Sequence, residues 1–159
     1  MSVSSLDIDQ NLKSTTVRPT HVTVDLAQLA ENYRSIQQHI GDRKIMVVLK
    51  ANAYGHGLVP VAQFFEKLGA PYFAVAYLEE GIALREAGIK VPILVFGGLI
   101  KEQIGLYLEH KLTITAPSVE KIQLVNAVAR ELGERATVHL IFDTGMERLG
   151  VHYYNARDL

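Results

Sequence analysis

The chain alternates between two hydrophobic periods. In "HVTVDLAQLAENYRSIQQHI", His21 to Ile40, a β-branched stretch gives way to apolar positions at Leu26, Leu29, Tyr33, Ile36 and Ile40. Their steps of three and four predict a short strand and then an amphipathic helix, with Asp25 placed to cap it and Gly41 placed to end it. "KIMVVL" follows, apolar at consecutive positions, which is the pattern of a strand buried on both faces. Leu58, Val61, Ala62, Phe65 and Leu68 then return to the helical period before Gly69.

The unit recurs. "YFAVA" precedes a helix carrying Ile82, Ala83 and Ala87, "PILVF" precedes one near Lys101 to His110, and "LTITA" precedes one capped by Ser118 with Ile122, Val125, Val128, Ala129 and Leu132. "ATVHLIF" is the last clear strand. Strands buried on both faces and separated by single helices describe an α/β protein with a parallel sheet. An open doubly wound sheet and a (β/α)8 barrel both use that alternation. About five strand-helix starts fit the open sheet on length alone, because a closed barrel takes about 250 residues. Residues 1–20, rich in Ser and Thr and without a long apolar run, read as a mobile tail ahead of one folded unit at 21–159.

Composition narrows the function classes. The 159 residues are 48% hydrophobic and 21% charged, the balance of an ordinary globular protein. Sixteen Lys and Arg against seventeen Asp and Glu leave a net charge of -1, so no basic field exists to hold nucleic acid or an anionic membrane. The absence of cysteine excludes disulfides and thiolate catalysis, and it fits a reducing cytoplasm.

Candidate chemistry gathers at "VVLKANAYGHG", Val47 to Gly57. Lys50 directly follows an apolar strand, where partial loss of water disfavours its charged form, and a neutral amine is the nucleophile that a Schiff base with an aldehyde requires. Gly55 and Gly57 let the next loop turn tightly against a ligand, and Tyr54 offers a phenol able to donate to a phosphate oxygen. The loop lacks the spacing of the nucleotide-binding motifs. His56 has no second histidine at metal-ligand spacing, so no metal site is expected. A second motif, "FDTGMERLGV", places a turn and then Arg148 after the last strand, on the same rim as Lys50 if the strands run parallel. A guanidinium fork suits a carboxylate or a phenolate oxygen.

Taken together, "VVLKANAYGHG", "VTVDLAQLAENYR", "FAVAYLEEGIALREAGI" and "FDTGMERLGV" closely resemble the bacterial alanine racemases, from His21 to Val151. The resemblance implies a barrel that binds pyridoxal phosphate, followed by a β-rich domain absent here, so the chain would be an amino-terminal part with about five of eight βα units. It implies that Lys50 is catalytic and holds the cofactor, that Tyr54 bonds its phosphate, and that Arg148 sits beside the cofactor ring oxygen and the substrate carboxylate, with Met146 also at the substrate. It also implies a cytoplasmic homodimer that interconverts L- and D-alanine for cell-wall synthesis. Glu79, Glu80, Arg85 and Glu86 match the family too, but read as solvated partners on a helix face. One departure stands out: many relatives carry a carbamylated lysine two residues before the Asp of "DTGM", where this chain has Ile141.

Racemisation needs two acid/base groups, one on each face of the reacting carbon. Lys50 serves one face. In the family the other is a tyrosine of the later domain, acting in the partner subunit's site, so the chain alone is expected to be inactive. Two further readings stay open: a pyridoxal-phosphate-binding protein without racemase activity, and a small α/β module binding an anion at Tyr54 to Gly57.

Overall fold

The protein is described by a computed structural model over residues 21–158. The expected mobile tail at 1–20 lies outside the described residues. Five strands, β1 (Met46–Val48), β2 (Tyr72–Val75), β3 (Ile93–Val95), β4 (Thr113–Ala116) and β5 (Val138–Leu140), form one sheet in sequential order, and each neighbouring pair is parallel. A doubly wound sheet begins near its middle and reverses direction. Here each strand is added beside its predecessor, so right-handed crossovers leave every helix on the same face. That is the wall of an incomplete (β/α) barrel, and strand order decides what length had argued the other way.

Helix α1 (Leu26–Ile40) is capped as expected: the Asp25 carboxylate accepts from Gln28 N at 3.0 Å. A short turn, α2 (Lys50–Tyr54), and helix α3 (Leu58–Lys67) follow β1. Helices α4 (Leu78–Glu86), α5 (Ile104–Glu109, after a 3₁₀ turn at Lys101–Gln103) and α6 (Val119–Glu131) link the remaining strands. Ser118 caps α6 through Lys121 N at 3.3 Å. The strand expected at 21–24 does not form. Val22 is 85% exposed, and a β-branched run needs a neighbouring strand to complete its hydrogen bonds.

Register sorts the side chains. Phe73, Val75, Ile93, Val95, Ile114 and Val138 share the helix-facing side and pack with Val61, Phe65, Leu84, Tyr107 and Val125 in the core. Burying each large apolar group stabilises the fold by roughly 1.5–3 kcal/mol. The opposite face presents Tyr72, Ala74, Leu94, Thr113, Thr115 and His139. Its buried threonines are satisfied, since the Tyr72 hydroxyl donates to Thr113 Oγ1 at 2.9 Å and the Thr115 hydroxyl donates to the Val95 carbonyl. Among the described residues both edges are open. β1 is only half-buried, contrary to the both-faces pattern of its sequence, because no described strand covers its outer side, and Leu140 on β5 is 47% exposed.

Arg85 is not a solvated partner. Its guanidinium donates to the carbonyls of Ile89, Val91, His110 and Lys111 at 2.8–3.1 Å and ties the end of α4 to two loops. Burial lowers its pKa, opposed by Glu66 and Tyr72.

Candidate active site at the carboxyl rim

Alternation along β1 puts Met46 and Val48 on the inner face, and Lys50 stands just past the strand end, where the backbone leaves the extended form at Leu49. Phe96 likewise stands just past the end of β3. Both line a cleft of about 320 Å³ with Ile141, Phe142, Asp143, Thr144, Met146, Arg148 and Leu149, a size at the lower end of small-molecule sites. The structure therefore brings Lys50, Met146 and Arg148 together. Tyr54 does not line this cleft and is 60% exposed.

After Lys50 the backbone leaves the usual range. Ala51, Asn52 and Ala53 hold φ of 51–57° and ψ of 44–52°, and Tyr54 has φ 54°, which makes a left-handed turn without glycine. Each such residue costs roughly 1–2 kcal/mol. Dense hydrogen bonding offsets the cost. Ala53 N donates to Leu49 O at 2.8 Å, Gly55 N and Gly57 N donate to Asn52 O at 3.0 Å, and Asn52 Oδ1 accepts from Leu58 N at 2.8 Å. His56 Nδ1 lies 2.9 Å from Ala53 O, a local contact in keeping with a hydrogen-bonding role. Glu80 reaches over from α4, with Oε1 accepting from Ala51 N at 2.7 Å and Oε2 accepting from Ala76 N at 2.8 Å. Glu80 is therefore not the solvated helix-face partner that its sequence position suggests.

The other wall is lighter. The expected strand 136–142 breaks at Ile141, and Phe142–Asp143 (β6) pairs in parallel with Val151–His152 (β7). Gly150 permits the return, since a Cβ there would stand 2.6 Å from Ile141 Cγ2. Asp143, buried at 6% exposure, accepts through Oδ1 from Gly145 N at 2.9 Å and Glu147 N at 3.1 Å. Those two bonds hold its carboxyl below the usual carboxylate range, helped by Met146 N and by His152, whose Nδ1 is 3.9 Å from Oδ2. Sequence reasoning passed over this residue, although an Asp opening a tight turn is the signal of such a bond.

Arg148 and Met146 are exposed on this loop. Ile141 offers an apolar side chain to the cleft and no charge to steady the arginine. Among the described residues no hydrogen bond or ion pair engages the Lys50 amine, the Tyr54 hydroxyl or the Arg148 guanidinium. An amine and a guanidinium with unspent donors, beside a carboxylate already committed to backbone N–H groups, make a cleft that accepts an anionic or carbonyl-bearing molecule.

The sequence matches the family described as alanine racemase, N-terminal domain, over residues 24–159. It is similar to the alanine racemase of Desulforamulus reducens, 44% identical over 83% of this chain and 36% of that protein, and to that of Synechocystis, 45% identical over 85% and 37%. The fold is similar to that of alanine racemase from Clostridium difficile 630, with a TM-score of 0.77 and 40% identity over 83% of this chain and 37% of that one. It is also similar to a histidine racemase from Leuconostoc mesenteroides, with a TM-score of 0.74 and 30% identity over 80% of this chain and 34% of that one. The chain thus spans little more than a third of the length of these relatives.

Proposed function

The chain belongs to the alanine racemase family through its N-terminal domain, and on that footing we propose that the protein interconverts L- and D-alanine with pyridoxal phosphate as cofactor. The observation that carries the reading is the convergence of an unpartnered Lys50 amine and an unpartnered Arg148 guanidinium on one cleft. That pair fits the cofactor, with an amine for its aldehyde and a planar fork for a phenolate or carboxylate oxygen; Tyr54, which stands outside the cleft, is assigned the phosphate by the family resemblance alone. When bound, pyridoxal phosphate draws electron density from the α-carbon and eases loss of its proton.

Lys50 holds the cofactor and moves the proton at one face of that carbon. Arg148 orients the carboxylate, with Met146 beside it, and the Phe96, Ile141 and Leu149 side chains exclude water. Lys50 is the only amine, imidazole or phenol among the described residues that line the cleft. As the resemblance to the family implies, we assign the second base to a tyrosine of a later, β-rich domain, acting from the second subunit of a homodimer. No described helix is long and apolar enough to cross a membrane, and we place the enzyme in the cytoplasm, supplying D-alanine to cell-wall synthesis.

Likeness to a histidine racemase keeps a larger side chain in view as substrate. The test is turnover of L-alanine, L-serine and L-histidine by the full-length protein, with and without added cofactor, and by residues 1–159 alone. Cofactor-dependent racemisation is expected with alanine fastest, and no turnover is expected from the 159-residue chain. No racemisation of alanine by the full-length holoenzyme would refute the reading.

A further inference from the structure

We propose that Glu80 is a positioning residue for Lys50, clamping the left-handed turn that follows it; the proposal rests on the reading of Lys50 given above. Glu80 is the third residue of α4, and its carboxylate works in two directions. Oε2 accepts from Ala76 N at 2.8 Å and Tyr77 N at 3.1 Å, which caps the helix it belongs to. Oε1 accepts from Ala51 N at 2.7 Å, across 29 residues of sequence.

That second bond falls on the peptide unit joining Lys50 to Ala51. The unit is planar, so fixing its N–H fixes the direction in which the Lys50 Cα and side chain leave the strand. Ala51 is also the first of the left-handed residues, each of which relaxes to ordinary backbone without a restraint. Few side chains can do this. Glutamine presents an NH₂ to one of the two donor sets, and aspartate lacks a methylene of reach. Glu66 supplies a control, since it accepts from Lys90 N at 2.6 Å and Val91 N at 3.0 Å, in the loop after α4 rather than in the turn after Lys50.

The experiment compares Glu80→Gln, Glu80→Asp and Glu66→Gln in the full-length protein. Two readings are taken: hydrogen exchange of the cofactor-free protein, and borohydride-fixed pyridoxyl label on the Lys50 peptide at limiting pyridoxal phosphate. Both Glu80 variants are expected to speed exchange across Ala51 to Gly57 and to lower the Lys50 label at least about tenfold, the scale of a hydrogen bond to a charged group. Glu80→Asp keeps a negative charge in the first turn of α4, so it serves as the second variant if Glu80→Gln folds poorly. Glu66→Gln should lose stability and keep the label. Parent-level label in Glu80→Asp would overturn the clamp. Parent protein labelled at lysines other than Lys50 would instead remove the reading beneath it, and the clamp with it.

Discussion

Lys50 and Arg148 face one cleft from backbones of opposite character. The turn after Lys50 is strained, yet it is tied by Glu80, by Asn52 and by main-chain bonds to Leu49. The Arg148 loop follows a strand that has left the main sheet, hangs on the Asp143 carboxylate, and carries Met146 at 73% exposure. Lys50 is thus positioned by a conformation that must be held, and Arg148 sits on a wall with fewer ties. On the function proposed above, rigidity is concentrated where the geometry of proton transfer is most demanding.

The contrast can be broken most heavily at Lys50. In the full-length protein, Lys50→Ala should cut kcat by about 10²–10⁴-fold, the range of a lost acid/base group, with a melting temperature close to the parent's. A smaller loss would mean that another group moves the proton. Arg148→Ala should lower kcat/KM at least about tenfold, roughly 1.4 kcal/mol, and Arg148→Lys should rescue poorly because a point charge replaces a fork. Unchanged kinetics would return Arg148 to solvent.

The tied wall predicts a larger stability effect than the light wall. Asn52→Ala removes the acceptor for Leu58 N and leaves alanine in left-handed backbone, so urea unfolding should report a loss of about 1–2 kcal/mol. The smallest effect lies at Asp143. Its folded pKa is depressed, so its stabilisation is present above the unfolded value of about 3.9 and is lost as pH falls through the folded value. The parent should therefore exceed Asp143→Asn in unfolding midpoint at pH 6, with the gap closing below about pH 4. A gap independent of pH would remove the charge from the explanation.

Hydrophobic periodicity made most of the fold legible. The period-three-and-four steps found α1, α3 and α6, and the Asp25 and Ser118 caps lie where the sequence put them. Periodicity does not report strand order: length favours the open sheet, the motif resemblance implies the barrel, and the sequential parallel pairing agrees with the barrel. It also misread 21–24 and 136–142, where pairing partners rather than propensity decide whether a strand forms. Lys50, Met146 and Arg148 were legible as motif residues at one rim, and the structure brings them to one cleft. Glu80 was not: a glutamate on an amphipathic helix looks solvated until the segment 29 residues away is seen to need its second oxygen.

The central claim, that Lys50 is the amine that holds the cofactor, is met most directly by chemical trapping. The full-length protein is mixed with pyridoxal phosphate, reduced with borohydride, digested, and its modified peptides mapped by mass. The account predicts a pyridoxyl group at near-stoichiometric level on the peptide containing Lys50, and none on that peptide in Lys50→Ala. Label spread evenly over the surface lysines, or undiminished labelling of Lys50→Ala, would contradict it.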